Sequence, residues 1–248
     1  MHSPDPSILV VDDDRDTCRN LSDILTDLGY AVQTAYDGQS ALDLVKRTTF
    51  DVALLDFKMP GMNGLALYRE IKRLSPATVA IMISAYMSGM SSEEARRAGT
   101  WKVLSKPVDI GQVLPLVDEA LHQPLVLLVD DDRELCASLW DVLHERGYRV
   151  SLAHTVPMAR DLVAQRKFNV VLLDLKLPEG TGRDVLAAVH EANPEARTVI
   201  ITGHRRELET LIDDVLADGA DAICYKPFDL RQLLGTLDQL SQNEQERS

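Results

Sequence analysis

The chain is built from short apolar runs that do not alternate with polar residues and that stop abruptly. Val171-Leu172-Leu173 ends on Asp174, and Ala53-Leu54-Leu55 ends on Asp56. A run of strand length that is apolar at every position predicts a strand buried on both faces, as in a parallel sheet covered by helices. Ile8–Val11, Ala31–Ala35, Val52–Asp56, Val79–Ser84 and Val103–Ser105 read as five strands. Helical spacing fills the gaps between them. Cys18, Leu21, Ile24, Leu25 and Leu28 lead to a stop at Gly29, and Gln39–Lys46 forms a second helix. Leu65, Tyr68, Ile71 and Leu74 follow the turn Pro60–Gly64, then come Ser91–Ala98 and Ile110–Leu121. Strict alternation of strand and helix predicts a doubly wound α/β fold with a five-stranded parallel sheet. Such folds bind their ligands beyond the carboxyl ends of the strands, where Asp56 and Asp174 stand.

The whole pattern occurs twice. Ile8-Leu9-Val10-Val11-Asp12-Asp13-Asp14 returns as Val126-Leu127-Leu128-Val129-Asp130-Asp131-Asp132, 118 residues on. Leu28-Gly29-Tyr30-Ala31-Val32 returns at the same offset as Arg146-Gly147-Tyr148-Arg149-Val150, and Ile83-Ser84 returns as Ile201-Thr202. Ser105-Lys106-Pro107 returns as Tyr225-Lys226-Pro227 at 120, so two residues are inserted between Thr202 and Lys226. A period this long excludes a solenoid repeat and indicates duplication of a whole domain. The expected domains are residues 7–122 and 124–241, joined through His122-Gln123-Pro124, with residues 1–6 and 242–248 as flexible tails.

Composition narrows the function classes. The 248 residues are 45% hydrophobic, and 39 acidic against 26 basic side chains give a formal charge of −13. That balance disfavours non-specific binding to nucleic acid or anionic membranes. No apolar stretch reaches the length of a membrane span, and the first residues lack the regions of a signal peptide, so a cytoplasmic protein is expected. Cys18, Cys136 and Cys224 form no CxxC pair, which leaves neither a disulfide framework nor a zinc site to expect. Cys18 and Cys136 read as small core residues, and His154 and His204 as loop or surface residues.

The repeated residues carry chemistry. Asp12 and Asp13 follow one buried strand and Asp56 ends another, so three carboxylates converge on one sheet edge. Such a cluster is costly unless a cation sits within it, and an all-oxygen donor set suits Mg²⁺, or Mn²⁺, rather than zinc. Ser84 and Lys106 end two further strands, as do Thr202 and Lys226 in the second copy. A phosphoryl group on Asp56 would meet a cation, a lysine and a hydroxyl donor together, the groups that stabilise phosphoryl transfer.

With the acid pair, the lone acid, the hydroxyl residue and the Lys-Pro in place, each half resembles the receiver domain of two-component response regulators, over roughly Ser7–Leu121 and Leu125–Leu240. The resemblance implies two consecutive flavodoxin-like (βα)5 domains with Asp56 and Asp174 as phospho-acceptors. It implies Mg²⁺ held by Asp12, Asp13 and Asp56 with the backbone carbonyl of Lys58, and by Asp130, Asp131 and Asp174 with that of Lys176. Lys106 and Lys226 would pair with the phosphate, and Ser84 and Thr202 would move toward it as the switch. The implied donor is a phosphohistidine of a sensor histidine kinase or a histidine phosphotransfer protein. Output would pass to a downstream protein, by phosphorylation-dependent binding or relay, and a homodimer is among the assemblies the family forms.

Two departures qualify the resemblance. Val103 and Ile223 stand where many receivers carry the aromatic switch residue, and the second copy has Ala153-His154-Thr155-Val156 where the first has Ala35-Tyr36-Asp37-Gly38, a change expected to alter only the loop before the second helix. Tyr86 and His204 stand where they would tune phosphoryl lifetime. No output domain is expected after Leu240, so the chain reads as a stand-alone pair of receivers that catalyses its own phosphoryl transfer and dephosphorylation and turns over no separate substrate. The competing readings are a receiver-fold scaffold that is never phosphorylated and the receiver part of a hybrid histidine kinase. Enzymes on the same fold fit poorly. Asp13-Asp14-Arg15 breaks the D-x-D-x-[TV] of aspartate-nucleophile phosphatases, and Asp12–Asp16 would repel a flavin phosphate.

Overall fold

The computed structural model describes residues 5–85, 99–203 and 215–245. The chain divides into two compact units, Met1–Gln123 and Pro124–Ser248. In the first, β1 (Ser7–Val11), α1 (Arg15–Asp27), β2 (Ala31–Ala35), α2 (Gly38–Val45), β3 (Val52–Asp56), α3 (Gly64–Leu74) and β4 (Val79–Ser84) follow one another. After them come β5 (Lys102–Ser105) and α4 (Ile110–His122). The strands form a parallel five-stranded sheet in the order β2-β1-β3-β4-β5.

The run of apolar residues in β1, β3 and β4 is explained by what covers the sheet. Leu9, Val11, Ala53, Leu55, Ala80 and Met82 point to one face and pack with Ala41, Leu42 and Val45 of α2 and with Leu67, Tyr68 and Ile71 of α3. Their neighbours Ile8, Val10, Val52, Leu54, Ile81 and Ile83 point to the other face, against Cys18, Leu21 and Leu25 of α1 and Val113, Val117 and Ala120 of α4. Successive strand residues point oppositely, so only an unbroken apolar run fills both layers.

The second unit repeats the plan with β6 (Leu125–Val129), α5 (Arg133–Glu145), β7 (Arg149–Ala153), α6 (Val156–Gln165) and β8 (Val170–Asp174). A short hairpin follows, β9 (Lys176–Leu177) and β10 (Gly180–Thr181), then α7 (Gly182–Ala192), β11 (Arg197–Thr202), β12 (Ala222–Tyr225) and α8 (Leu230–Gln245). Its parallel sheet runs β7-β6-β8-β11-β12, the same topology as the first. On one face Val126, Leu128, Val170, Leu172, Val199 and Ile201 pack against Cys136, Leu139 and Trp140 of α5 and Leu233, Leu234 and Leu237 of α8.

The expected helix Ser91–Ala98 lies outside the described residues. The last helix does not stop at Leu240; it continues through Ser241 to Gln245. Extending an existing helix needs no new nucleus, and Gln and Glu are good helix formers, so a polar segment can prolong it. The hairpin β9–β10 was also unforeseen, and its turn is strained. Glu179 has φ 60°, whereas the first copy places Gly61, with φ 77°, at the corresponding position. A side chain in this left-handed region costs about 1–2 kcal/mol. Glu179→Gly is therefore expected to stabilise the chain by about 1 kcal/mol, after the entropy that glycine adds to the unfolded chain. Urea denaturation of the full chain checks this; an unchanged or lower midpoint would contradict it.

Candidate functional site

In the first unit the carboxyl ends of four strands bring together Asp12, Asp56, Ser84 and Lys106. Val11 lies beside Leu55, Asp56 beside Ile83, and Ser84 beside Ser105, and the Lys106 amide donates to the Ser84 carbonyl at 2.9 Å. The second unit matches it. Val129 lies beside Leu173, Asp174 beside Ile201, and Thr202 beside Tyr225, with Lys226 N–H donating to the Thr202 carbonyl at 2.8 Å.

The three adjacent acids of each copy divide into three roles. Asp12 and Asp130 are buried, and each accepts a 3.0 Å bond from the backbone N–H two residues on, Asp14 and Asp132. Asp13 and Asp131 are exposed, yet each completes a cluster, with Asp12 and Asp56 or with Asp130 and Asp174, whose oxygens lie within 4.8 Å of one another. Asp14 and Asp132 turn away and cap helices. Asp14 accepts from the Asp16 and Thr17 amides, Asp132 from those of Glu134 and Leu135. The Asp16 N–H bond, the largest influence, holds the Asp14 carboxyl below its usual range.

A lysine lies between the buried acids. Lys106 Nζ is 2.7 Å from Asp12 Oδ2 and 3.1 Å from Asp56 Oδ1. Lys226 Nζ contacts Asp130 Oδ2 and is 2.7 Å from Asp174 Oδ2. Burial pushes the Asp56 carboxyl above its usual range despite the Lys106 ammonium, and burial does the same to Asp130 despite Lys226. Burial alone would lower the two lysines, but the paired carboxylates outweigh it and raise both. Three carboxylates against one ammonium leave two negative charges in excess, the complement of a divalent cation, and the donors are all oxygen. The residues present fit a hard divalent ion.

The remaining groups complete the surroundings. Ser84 and Thr202 are buried, and Thr202 Oγ1 has no hydrogen-bond partner among the described residues. Asp174 Oδ1 accepts from the Lys176 backbone N–H at 3.0 Å. Lys58 and Lys176 stand two residues past Asp56 and Asp174, where a main-chain carbonyl could serve the same site. Beside Lys106 opens a cleft of about 440 Å³, walled by Thr17, Asn20 and Ile24 of α1 and by Val108 and Ile110. Val103 is partly buried and packs against the core. Tyr86 and His204 lie outside the described residues.

Some contacts were missed from sequence. Cys18 and Cys136 are core residues as expected, but each thiol also approaches the carbonyl of the buried acid, Asp12 or Asp130, at 3.4 Å. Burial pushes the thiols up to about 11 and about 12, as inert donors rather than thiolates. His154, read as a loop residue, places Nδ1 2.9 Å from the Asp130 carbonyl. Its position one residue beyond the strand beside Asp130 was the available signal.

A doubly wound sheet whose edge gathers an acid cluster, a lysine and a hydroxyl defines a receiver. The family of response regulator receiver domains matches residues 8–118 and again 126–238, and the chain belongs to it, with two receiver domains in tandem, as a two-component signalling protein. The chain is similar to a response regulator receiver protein of Anaeromyxobacter sp. (strain Fw109-5), 35% identical over 232 residues that cover 94% of both chains. It is 31% identical over 196 residues to the transcriptional regulatory protein ZraR of Escherichia coli (strain K12), a match covering 79% of this chain and 43% of that regulator's length. Among solved structures, a CheY-like receiver domain of Methanospirillum hungatei JF-1 is 30% identical, with a TM-score of 0.44, over 47% of this chain and 97% of that one. Among the described residues no helix is long and apolar enough to cross a membrane.

Proposed function

We propose that each receiver accepts a phosphoryl group, on Asp56 in the first and Asp174 in the second, from a phosphohistidine donor. The observation that supports this best is the repeated cluster of a buried acid, an adjacent exposed acid, the acceptor and a bridging lysine. In the reaction a carboxylate oxygen attacks phosphorus, the bond from phosphorus to the donor's imidazole nitrogen breaks, and an acyl phosphate forms. Lys106 or Lys226 steadies the phosphoryl oxygens.

Asp12, Asp13 and Asp56, with the Lys58 carbonyl, would hold Mg²⁺ (or Mn²⁺), as would Asp130, Asp131 and Asp174 with that of Lys176. When bound, the ion supplies the positive charge that draws the acceptor and the incoming phosphoryl oxygens together. The Thr202 hydroxyl, buried without a partner among the described residues, gains an acceptor once a phosphoryl group is in place. That is a local event able to bias a two-state element toward a protein partner or a relay. The chain acts on its own acceptors and turns over no separate substrate. A scaffold that is never phosphorylated needs no clustered buried carboxylates, whose ionisation burial opposes.

The testing experiment incubates the full chain with acetyl phosphate and Mg²⁺, with and without EDTA. An added phosphoryl mass that EDTA prevents and hydroxylamine removes is expected. No mass gain, repeated with a phosphorylated histidine donor, would overturn the reading.

A further inference from the structure

The two receivers differ at one position beside the acid pair. In the second, consecutive residues at the end of β7 grip Asp130 at both ends: its N–H donates to the Ala153 carbonyl at 3.0 Å, and its carbonyl faces His154 Nδ1 at 2.9 Å. A carbonyl oxygen can only accept, so Nδ1 carries the proton. In the first receiver Tyr36 occupies the corresponding place and stacks under the Arg15 guanidinium, 4.2 Å from its ring centroid. There the Asp12 N–H reaches the Ala35 carbonyl at 3.3 Å.

The Asp130 carbonyl and the Asp131 amide belong to one planar peptide unit. Holding the oxygen fixes that plane, and with it the direction in which Asp131 leaves the strand. Asp131 is the exposed member of the acid cluster and is not held by burial as Asp130 is. Restricting its backbone lowers the ordering cost of gathering three carboxylates on one ion, and partners that orient ligands in this way are worth about 10–100-fold in metal affinity.

We propose that His154 is a positioning residue for divalent-cation binding in the second receiver, acting through the Asp130 carbonyl on Asp131. This rests on the reading that the acid clusters hold a divalent cation. The test uses the full chain carrying Asp13→Asn and Asp56→Asn, which disables the first cluster, and titrates Mg²⁺ by calorimetry at about pH 8, where an ordinary imidazole is neutral. In that background His154→Phe, which keeps a ring of similar size but no donor, is expected to raise the Mg²⁺ Kd about tenfold. His154→Asn, whose amide can donate from nearly the same place as Nδ1, is expected to retain most of the affinity. Thermal unfolding without metal separates a positioning effect from a loss of fold.

An unchanged Kd in His154→Phe overturns the positioning role and leaves the receiver reading intact. So does an equal loss in His154→Asn and His154→Phe, since ring packing rather than the donor would then be responsible. A parent chain that binds no Mg²⁺, and remains so when Asp56 and Asp13 are restored, overturns the cation reading itself.

Discussion

Replacing Lys106 with methionine is expected to destabilise the chain by about 3 kcal/mol in metal-free buffer, because it strands two buried carboxylates without their counter-charge. Lys106 is three-quarters buried, and Asp12 and Asp56 are nearly inaccessible, so water can do little to screen what remains. Lys226→Met is expected to act alike through Asp130 and Asp174. Asp56→Asn should do the opposite. Its carboxyl is raised above the ordinary 3.8, so the native state favours the protonated form below that value and loses this advantage as pH rises through the raised pKa. At neutral pH the neutral amide is therefore expected to stabilise.

The lysine has its own pH window. Its native pKa lies above the ordinary 10.5, so its contribution is complete below 10.5 and is lost as pH rises through the raised value. Urea denaturation of the three variants at neutral pH checks the signs. Lysine variants as stable as the parent would show that the ammonium does not offset the acids. A gain in stability on Asp56→Asn, where a structural ion pair would show a loss, is what a binding site should display.

Gly64→Ala is the second large effect. Gly64 opens α3 against the backbone of Asp56, and a Cβ there would fall against the Asp56 carbonyl oxygen, 3.0 Å from its carbon and 3.2 Å from the Phe57 Cα. These are backbone atoms of a central strand and cannot swing aside. The expected cost is about 3 kcal/mol, at the upper end for overpacking, together with a loss of phosphoryl uptake as Asp56 is displaced. Gly182→Ala meets the Asp174 carbonyl oxygen at 2.7 Å and the Leu175 Cα at 2.9 Å, so a similar but smaller cost is expected in the second receiver. Chemical denaturation of both variants, with uptake measured alongside, checks the order; a Gly64→Ala chain as stable as the parent would contradict it.

Much of this site could be read from sequence because its residues end strands. A buried strand is an unbroken apolar run, so the residue that breaks it, Asp56 or Ser84, is placed at the sheet edge to within one position. Recurrence in both copies, at offsets of 118 and 120 residues, then set the candidate residues apart from incidental ones, which no single Lys-Pro or strand-end serine could have done. What sequence could not supply were contacts made across the fold. Asp14 looks like its two neighbours in the acid run but caps α1, since only the chain's turn at that point decides which carboxylate faces the helix amides. The β9–β10 pairing involves two residues on each side and leaves no hydrophobic period to detect. His154 depends on how closely β7 lies beside β6, a register fixed by Val129 pairing with Ala153 and by no feature of the histidine itself.

The central claim is that both copies are working phospho-acceptors, and intact-mass spectrometry tests it most directly. The full chain, Asp56→Asn, Asp174→Asn and the double variant would each be incubated with Mg²⁺ and acetyl phosphate. Two added phosphoryl groups in the parent, one in each single variant and none in the double variant are expected. Phosphoryl incorporation that persists in the double variant, or a parent that never takes a second group, would contradict the account.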